Sequence, residues 1–383
     1  MKARDKDNYY SEYDGSRPKP APRGPLMWVV DMLLTLATAV VAVALALTLL
    51  VPYVDPARVW FFPLLGLAAP AIYVAGFMLM LYWIIRWRRW RAVTMAVLVL
   101  LGLFKVPLFW RPEFRRDYGV GSYERNVFKV MTFNVRNFYG EAGQSSVGDV
   151  VRLIGEVNPD IVCLQEFNAR LADKNEAFAE LEERYESARF NHRQAVDAPL
   201  AILSKYRILR SGVVLTPHTS VWADLLMGDD TVRVFNNHLH STAIKASDSD
   251  YLTRHEFLAD TAREDKFRSM ADRFRGNSVL RAAQVDSIVR VVDEVRTRRI
   301  VCGDFNDTPM SYAYRRMARE LDDAFAECGS GYSHTFRGFF NTLRIDYVLS
   351  SAGFATRSYE VLPSECSDHL PVVVRLLKTP VNN

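Results

Sequence analysis

The strongest constraint on this chain is a pair of long apolar blocks near its start. Residues 26–54 carry one charge, Asp31, and residues 59–85 carry none. Each block exceeds the roughly 20 residues that an α-helix needs to cross a bilayer. A helix apolar on every side must be enclosed by lipid or by protein. A third block, residues 92–110, only about reaches that length, and its one charge, Lys105, lies near enough to an end to snorkel. The expected organisation is a basic tail (1–25), a membrane anchor (26–110) with about three transmembrane helices (26–54, 59–85, 92–110), a charged linker (111–125) and a soluble domain (126–378). A buried core helix is the alternative for such blocks, and the third leaves it open. A cleaved signal peptide fits poorly, because the first block is long and two more follow.

Charge is distributed unevenly. Residues 1–125 hold 16 Lys+Arg and 9 Asp+Glu, a balance of +7. Subtracting them from the totals of 48 and 44 leaves 32 basic and 35 acidic residues, a balance of −3. The soluble part therefore lacks the basic excess usual in proteins that grip long nucleic acid, although a local patch is compatible with that total. Basic residues cluster in the tail (Lys2, Arg4, Lys6, Arg17, Lys19, Arg23) and between the second and third blocks (Arg86, Arg88, Arg89, Arg91). Basic flanks stay cytoplasmic. Three crossings then place the soluble domain on the non-cytoplasmic side; if the third block does not cross, the domain is cytoplasmic. Trp83, Trp87, Trp90 and Trp110 fall near the expected interfaces. Cys163 and Cys302 sit in apolar runs and read as small core residues. Cys328 and Cys366 are candidates for pairing in an oxidising compartment.

Beyond residue 126, short Val- and Ile-rich runs recur at 127–133, 161–164, 200–203, 213–215, 221–226, 232–235, 300–302, 345–349 and 372–376. They read as strands. Helical patterns lie between some of them, at 150–157, 171–185 and 279–295. Two packed sheets with helices outside, an α/β domain, follow from that mixture. Residues 244–277 are polar, charged in both signs and dotted with aromatics. They read as a solvated insertion or as helices that cover a catalytic face or touch the membrane surface.

Polar residues gather where these strands end. A buried strand interior holds carboxylates and imidazoles only at a cost, so polar groups just beyond an apolar run sit at its exposed rim. Six rims stand out: Thr132-Phe133-Asn134-Val135-Arg136-Asn137, Leu164-Gln165-Glu166, Asn236-Asn237-His238-Leu239-His240, Gly303-Asp304-Phe305-Asn306-Asp307, Arg344-Ile345-Asp346, and Ser367-Asp368-His369. Taken singly, an Asp or Asn in such a place is usually turn chemistry.

In this order the six segments resemble the endonuclease/exonuclease/phosphatase superfamily, over about residues 127–376. Gly-Asp-Phe-Asn-Asp and Ser-Asp-His are the most specific pieces. The resemblance implies a four-layer α/β sandwich with its site at one end, and a metal-dependent phosphoester hydrolase. A phosphoester is anionic, and a hard divalent cation, Mg2+ or Mn2+, offsets the charge that repels a nucleophile. By resemblance Glu166 holds that metal, Asn134 orients it or binds phosphate, and Asp368 lies near it. Asp304 orients or deprotonates the attacking water, and Asn306 donates to a phosphoryl oxygen. Asp346 and His369 resemble the family's Asp–His pair, in which the imidazole acts as base or, protonated, as a clamp on the transition state. His238 binds phosphate or assists the leaving group; abasic-site enzymes tend to carry an amide there. His240 and Asp307 read as structural. Arg136 and Arg344 are equally compatible with substrate contact and with ion pairs. One departure is Pro199-Leu200, where many relatives place a glycine. The implied substrate is a lipid head group, a nucleotide or nucleic acid, with a membrane-tethered nuclease and a non-catalytic scaffold as alternatives. Nothing points to a protein partner.

Overall fold

The computed structural model describes residues 25–112, 126–140, 143–190, 200–215, 219–242 and 263–380. The basic tail to residue 24, residues 113–125 of the linker, the segment 197–199 and residues 244–262 lie outside the described residues.

The apolar blocks fold as helices. α1 (Pro25–Thr48) and α2 (Phe62–Ile85) have 24 residues each, and α3 (Arg89–Leu103) has 15. At 1.5 Å per residue they measure about 36, 36 and 22 Å. Two helical stretches, Pro25–Tyr53 and Phe62–Ile85, are long and apolar enough to cross a membrane. α3 begins inside the basic run and stops short of Pro107, which cannot continue a helix hydrogen-bond ladder. Leu45, Leu79, Met95 and Val99 form the small core of the bundle. Gly102 lets α3 close on α2, since a Cβ there would stand 1.9 Å from the Tyr73 ring. Asp31, the one charge of the first block, pairs with Arg86 at 2.9 Å and accepts from the Tyr82 hydroxyl at 2.6 Å. Trp83 departs from the interfacial role its position suggests: it is buried between helices and donates to the Thr38 hydroxyl at 2.7 Å. Trp87, Trp90 and Trp110 are exposed.

A short strand, β1 (Trp110–Arg111), leads out of the bundle. β2 (Val127–Asn134), β3 (Ile161–Gln165), β4 (Glu186–Phe190) and β5 (Leu200–Ser204) then share a sheet with β13 (Phe354–Val361) and β14 (Val372–Lys378), in the order β13-β14-β2-β3-β5-β4. β6 (Arg207–Leu215), β7 (Ser220–Met227), β8 (Asp230–His238) and β9 (Arg298–Asp304) join β10 (Asp322–Asp323) and β12 (Asp346–Ser350) in the order β10-β12-β9-β8-β7-β6. β1 pairs with β11 (Gly331–Tyr332) apart from both sheets. Only β2–β3 and β8–β9 are parallel among these pairings.

Strand periodicity divides the core. Phe128 and Val130 point between the sheets, where they meet Ile161, Ile202, Val234 and Ile300. Met131 and Phe133 point to the other face, under α4 (Val147–Val157), α5 (Ala169–Ala172) and α6 (Glu176–Glu182). α7 (Arg263–Glu294) and α8 (Tyr312–Met317) cover the second sheet through Val285, Ile288, Val292 and Tyr314. The result is the four-layer α/β sandwich. α9 (Ala324–Cys328) caps one edge through Ala324. Cys163 and Cys302 lie in the inter-sheet core, and all four cysteines are free thiols, Cys328 and Cys366 included.

Candidate active site

Strand direction brings the polar rims together. β2 and β3 run parallel, so Asn134 and Gln165 finish side by side and Glu166 follows. β8 and β9 also run parallel, so His238 finishes opposite Asp304. β12 is antiparallel to β9 and starts with Asp346 opposite the same Asp304. β14 is antiparallel to β2, which brings the preceding Ser367, Asp368 and His369 to that rim. Gly303 permits the tight β8–β9 approach: at φ 129°, a Cβ would lie 2.0 Å from the Asn237 carbonyl oxygen.

A buried polar layer underlies the rims. The Gln165 amide donates to Asn236 Oδ1 at 2.7 Å and to the Thr132 hydroxyl at 3.0 Å. Asn236 donates in turn to the carbonyls of Leu164 and Ala201, at 2.9 and 3.0 Å. These bonds tie the two sheets together just below the site.

Glu166 has a φ of 51°, a left-handed conformation that costs a residue with a Cβ about 1–2 kcal/mol. The turn carries its carboxylate into the cleft. Asn134 donates to Glu166 Oε1 at 3.1 Å and to Asp304 Oδ2 at 3.0 Å, so one amide holds two carboxylates apart. Asn137 donates to Glu166 Oε2 at 3.0 Å. Asp304 receives the Asn306 backbone N–H at 2.8 Å and the Asn306 amide at 3.1 Å. That amide also donates to the Leu239 carbonyl at 3.0 Å, so both of its hydrogens are directed at protein acceptors.

Three rings complete the group. His238 Nε2 lies 3.7 Å from Glu166 and 3.8 Å from Asp304. His369 Nδ1 meets Asp346 at 2.9 Å, and its Nε2 lies 3.6 Å from Asp304. The Phe336 ring leans on the His369 ring with centroids 5.0 Å apart. Burial alone would lower the His369 pKa; the carboxylates of Asp346 and Asp304 outweigh it and hold the imidazole well above its ordinary range. Burial pushes the Asp346 carboxyl upward while the imidazole pulls it down. We place the proton of the pair on His369, which two carboxylates face.

The polar wall of the cleft includes Glu166, His238, Asp304, Asn306, Asp368 and His369. Asn134 and Asp346 stand behind that wall, buried. The structure thus gathers the expected residues, with Asp368 somewhat apart: its carboxylate lies 3.7 Å from Arg136. Arg344 does not face the cleft. It is buried against Asp323 at 2.8 Å and the Leu108 carbonyl at 2.9 Å. Arg281 joins His240 and Asp307, donating to the His240 carbonyl at 2.7 Å and to the Asp307 carboxylate at 2.9 Å, and Asp307 also borders the cleft. Asn137 and Ser367 lie within the polar rims, yet nothing in their position singles them out. The Ser367 hydroxyl donates to the Asn134 carbonyl at 2.7 Å and locks the last rim to the first.

Residues 131–369, more than half of the chain, match the profile of the Endonuclease/Exonuclease/phosphatase family. The chain belongs to that family. The endonuclease/exonuclease/phosphatase fold and its phosphoester-hydrolysing chemistry are therefore those of residues 131–369. Residues 31–109 match a separate domain of unknown function. No curated protein matches the sequence. Among solved structures, a conserved protein of unknown function from Enterococcus faecalis is 17% identical, covering 65% of this chain and 99% of its own, with a TM-score of 0.47. An endonuclease/exonuclease/phosphatase from Bacteroides vulgatus is 17% identical over 66% of this chain and 99% of its own, with a TM-score of 0.48. A mannosyl-6-phosphatase from Bacteroides thetaiotaomicron is 18% identical over 65% and 99%, with a TM-score of 0.46.

The family typically uses a divalent metal, and the donor set suits one. Carboxylates of Glu166, Asp304 and Asp368 face the cleft, and hard cations prefer oxygen ligands. Ligand atoms of Asp304, Asp346 and His369 also lie within 4.8 Å of one another. That trio is a poorer cage, because His369 Nδ1 is committed to Asp346 and a protonated imidazole offers no lone pair.

Proposed function

We propose that this protein is a membrane-anchored phosphoesterase that hydrolyses its substrate by in-line attack of water. The observation that carries the reading is the linkage Glu166–Asn134–Asp304–His369 around one cleft. Glu166 would hold Mg2+ or Mn2+, with Asp368 close by and Asn134 orienting the carboxylates; the cation would offset the charge of the phosphoryl group. Asp304, fixed in rotation by Asn134 and Asn306, aligns the water and accepts its proton. Asn306 acts first on Asp304, since both its amide hydrogens point at protein acceptors; donation to phosphate requires one of them to be released. Protonated His369 faces the developing negative charge, and Asp346 keeps it protonated and aligned. His238 stands on the opposite flank of Asp304, placed to touch a phosphate oxygen or the leaving group. Protein stripped with EDTA should lose activity on bis-p-nitrophenyl phosphate and regain it with Mg2+ or Mn2+. Full activity in Glu166→Ala would sink the assignment.

The anchor reading extends to topology. Arg86 and Asp31 meet at one end of the bundle, while the Thr308 hydroxyl reaches the Gly66 carbonyl, at 3.5 Å, at the other. The basic loop and the catalytic domain thus occupy opposite ends. With the basic end cytoplasmic, the domain, residues 126–378, lies outside. α3 alone, at about 22 Å, is shorter than the roughly 30 Å hydrocarbon core, so this crossing needs the residues after Leu103. A phosphatase reporter fused after Asn383 should be active and one after Arg91 silent; silence at both positions would mean that α3 does not cross, and the reverse pattern would invert the orientation.

A further inference from the structure

The cleft has a second, apolar wall, which includes Leu67, Phe274 and Phe336. Phe336 belongs to the sandwich. Leu67 does not: it lies on α2, inside the helix bundle. α2 begins against the catalytic domain. A Cβ on Gly66 would stand 3.3 Å from the Met310 carbonyl oxygen, and Phe62 and Met310 are both buried. The turn after Asn306 therefore rests on the first two turns of a helix that is long and apolar enough to cross a membrane. Phe274 comes from α7, whose next residue, Arg275, has its guanidinium 5.9 Å from the Trp60 ring.

Depth follows from length. α2 measures about 36 Å and the hydrocarbon core about 30 Å, so roughly 6 Å of the helix projects beyond it. Leu67 is five residues past Phe62, about 8 Å along the axis. With α2 upright and its overhang at the domain end, Leu67 falls where head groups give way to chains. The flanking chemistry agrees. Arg315 lies over the Tyr53 ring at 4.0 Å, Lys105 over Phe104 at 5.2 Å, and Trp60 is exposed. Basic and aromatic side chains of this kind populate membrane interfaces.

We infer that the substrate is a phosphoester bearing a long alkyl or acyl chain, which reaches the site sideways from the bilayer. The chain stays in the lipid, past Leu67 and Phe274, while the phosphate meets Glu166, Asp304 and His369. This rests on the phosphoesterase reading above. A water-soluble phosphoester has no use for an apolar wall supplied by a membrane helix, and a long nucleic acid would run into α2.

The test uses full-length protein in nonionic mixed micelles with Mg2+. Two diesters are compared, hexadecyl p-nitrophenyl phosphate and methyl p-nitrophenyl phosphate, together with the monoesters hexadecyl phosphate and methyl phosphate. They differ within each pair only in chain length. For whichever pair is cleaved, the hexadecyl ester should have a kcat/KM at least about 10-fold higher, each buried methylene adding to the preference. Leu67→Asn and Phe274→Ser should each shrink that ratio about threefold or more, chiefly through KM. A ratio near one in the wild type, or an unchanged ratio in both variants, overturns the lipid assignment and leaves the phosphoesterase reading standing. If Glu166-dependent cleavage of all four esters is absent, the phosphoesterase reading falls and this inference with it.

Discussion

Two buried ion pairs lie within two residues of each other along the chain, and they are built for different ends. Arg344 and Asp323 face only protein. The guanidinium meets both Asp323 oxygens, at 2.8 and 3.1 Å, and the Leu108 carbonyl, and is stacked 4.7 Å from the Phe325 and Tyr347 rings. His369 and Asp346 are buried to a similar degree, yet the pair borders the cleft, with Nε2 turned toward Asp304 at 3.6 Å. One pair faces protein on every side, although the Arg344 Nε finds no acceptor, and the other keeps a face toward the cleft. Burial and charge alone do not separate a brace from a candidate catalytic pair; the face on the cleft does. The Arg344–Asp323 pair also joins distant parts, since Leu108 lies just past the helix bundle and Asp323 begins the cap of α9, its carboxylate accepting from Phe325 N–H.

The largest effect should come from breaking the brace. Removing one partner of a buried pair leaves the other charge uncompensated, at about 3–5 kcal/mol. Arg344→Met should therefore lower Tm by roughly 10 °C, with kcat of the protein that remains folded near normal. Arg344→Met combined with Asp323→Leu should recover part of the loss, because no charge is left stranded. A normal Tm in Arg344→Met, or a large fall in kcat without a fall in Tm, would erase the distinction drawn between the two pairs.

That distinction was only half legible in the sequence. Arg344 and Asp346 stand on one rim, and nothing local says that Arg344 turns away, toward Asp323 and Leu108. The strands that carry the site were readable because each is an apolar run that ends abruptly in polar residues. The edge strands β4 and β13 were not, since Glu186-Ser187-Ala188-Arg189-Phe190 and its counterpart bury too little to show a pattern. The helical stretch 171–185 is broken after Ala172 because Asn175 starts a new helix by accepting from Phe178 N–H at 3.2 Å. Asp31 and Arg86 looked like a flaw and a flank; they are partners 55 residues apart. Leu67 carried no signal, for a leucine in an apolar helix looks the same whether it meets lipid, a neighbouring helix or a substrate.

The proposed catalytic pair should show the opposite profile from the brace, in activity rather than in stability. His369→Ala should lower kcat by about 10²-fold or more, as expected of a positioned acid–base group, with a much smaller change in KM. The double variant with Asp346→Asn should be little worse than His369→Ala alone, because the two act as a unit. The smallest and sharpest effect is on pH. The His369 pKa is raised in the folded protein, so the stabilisation from its proton is complete below the unfolded imidazole value, near 6.5, and is lost as pH rises through the folded value. Activity that depends on the protonated ring should fall over that same upper range. Asp346→Asn removes the carboxylate 2.9 Å away and leaves burial, which favours the neutral ring, opposed by Asp304 and, more weakly, Asp368. The alkaline limb of the kcat profile should therefore move to lower pH, while the acid limb moves less. Arg344→Met should leave both limbs in place. An alkaline limb that ignores Asp346→Asn, or one that moves equally in Arg344→Met, would mean that His369 draws its proton from something other than its partner, and that the two pairs differ in position but not in kind.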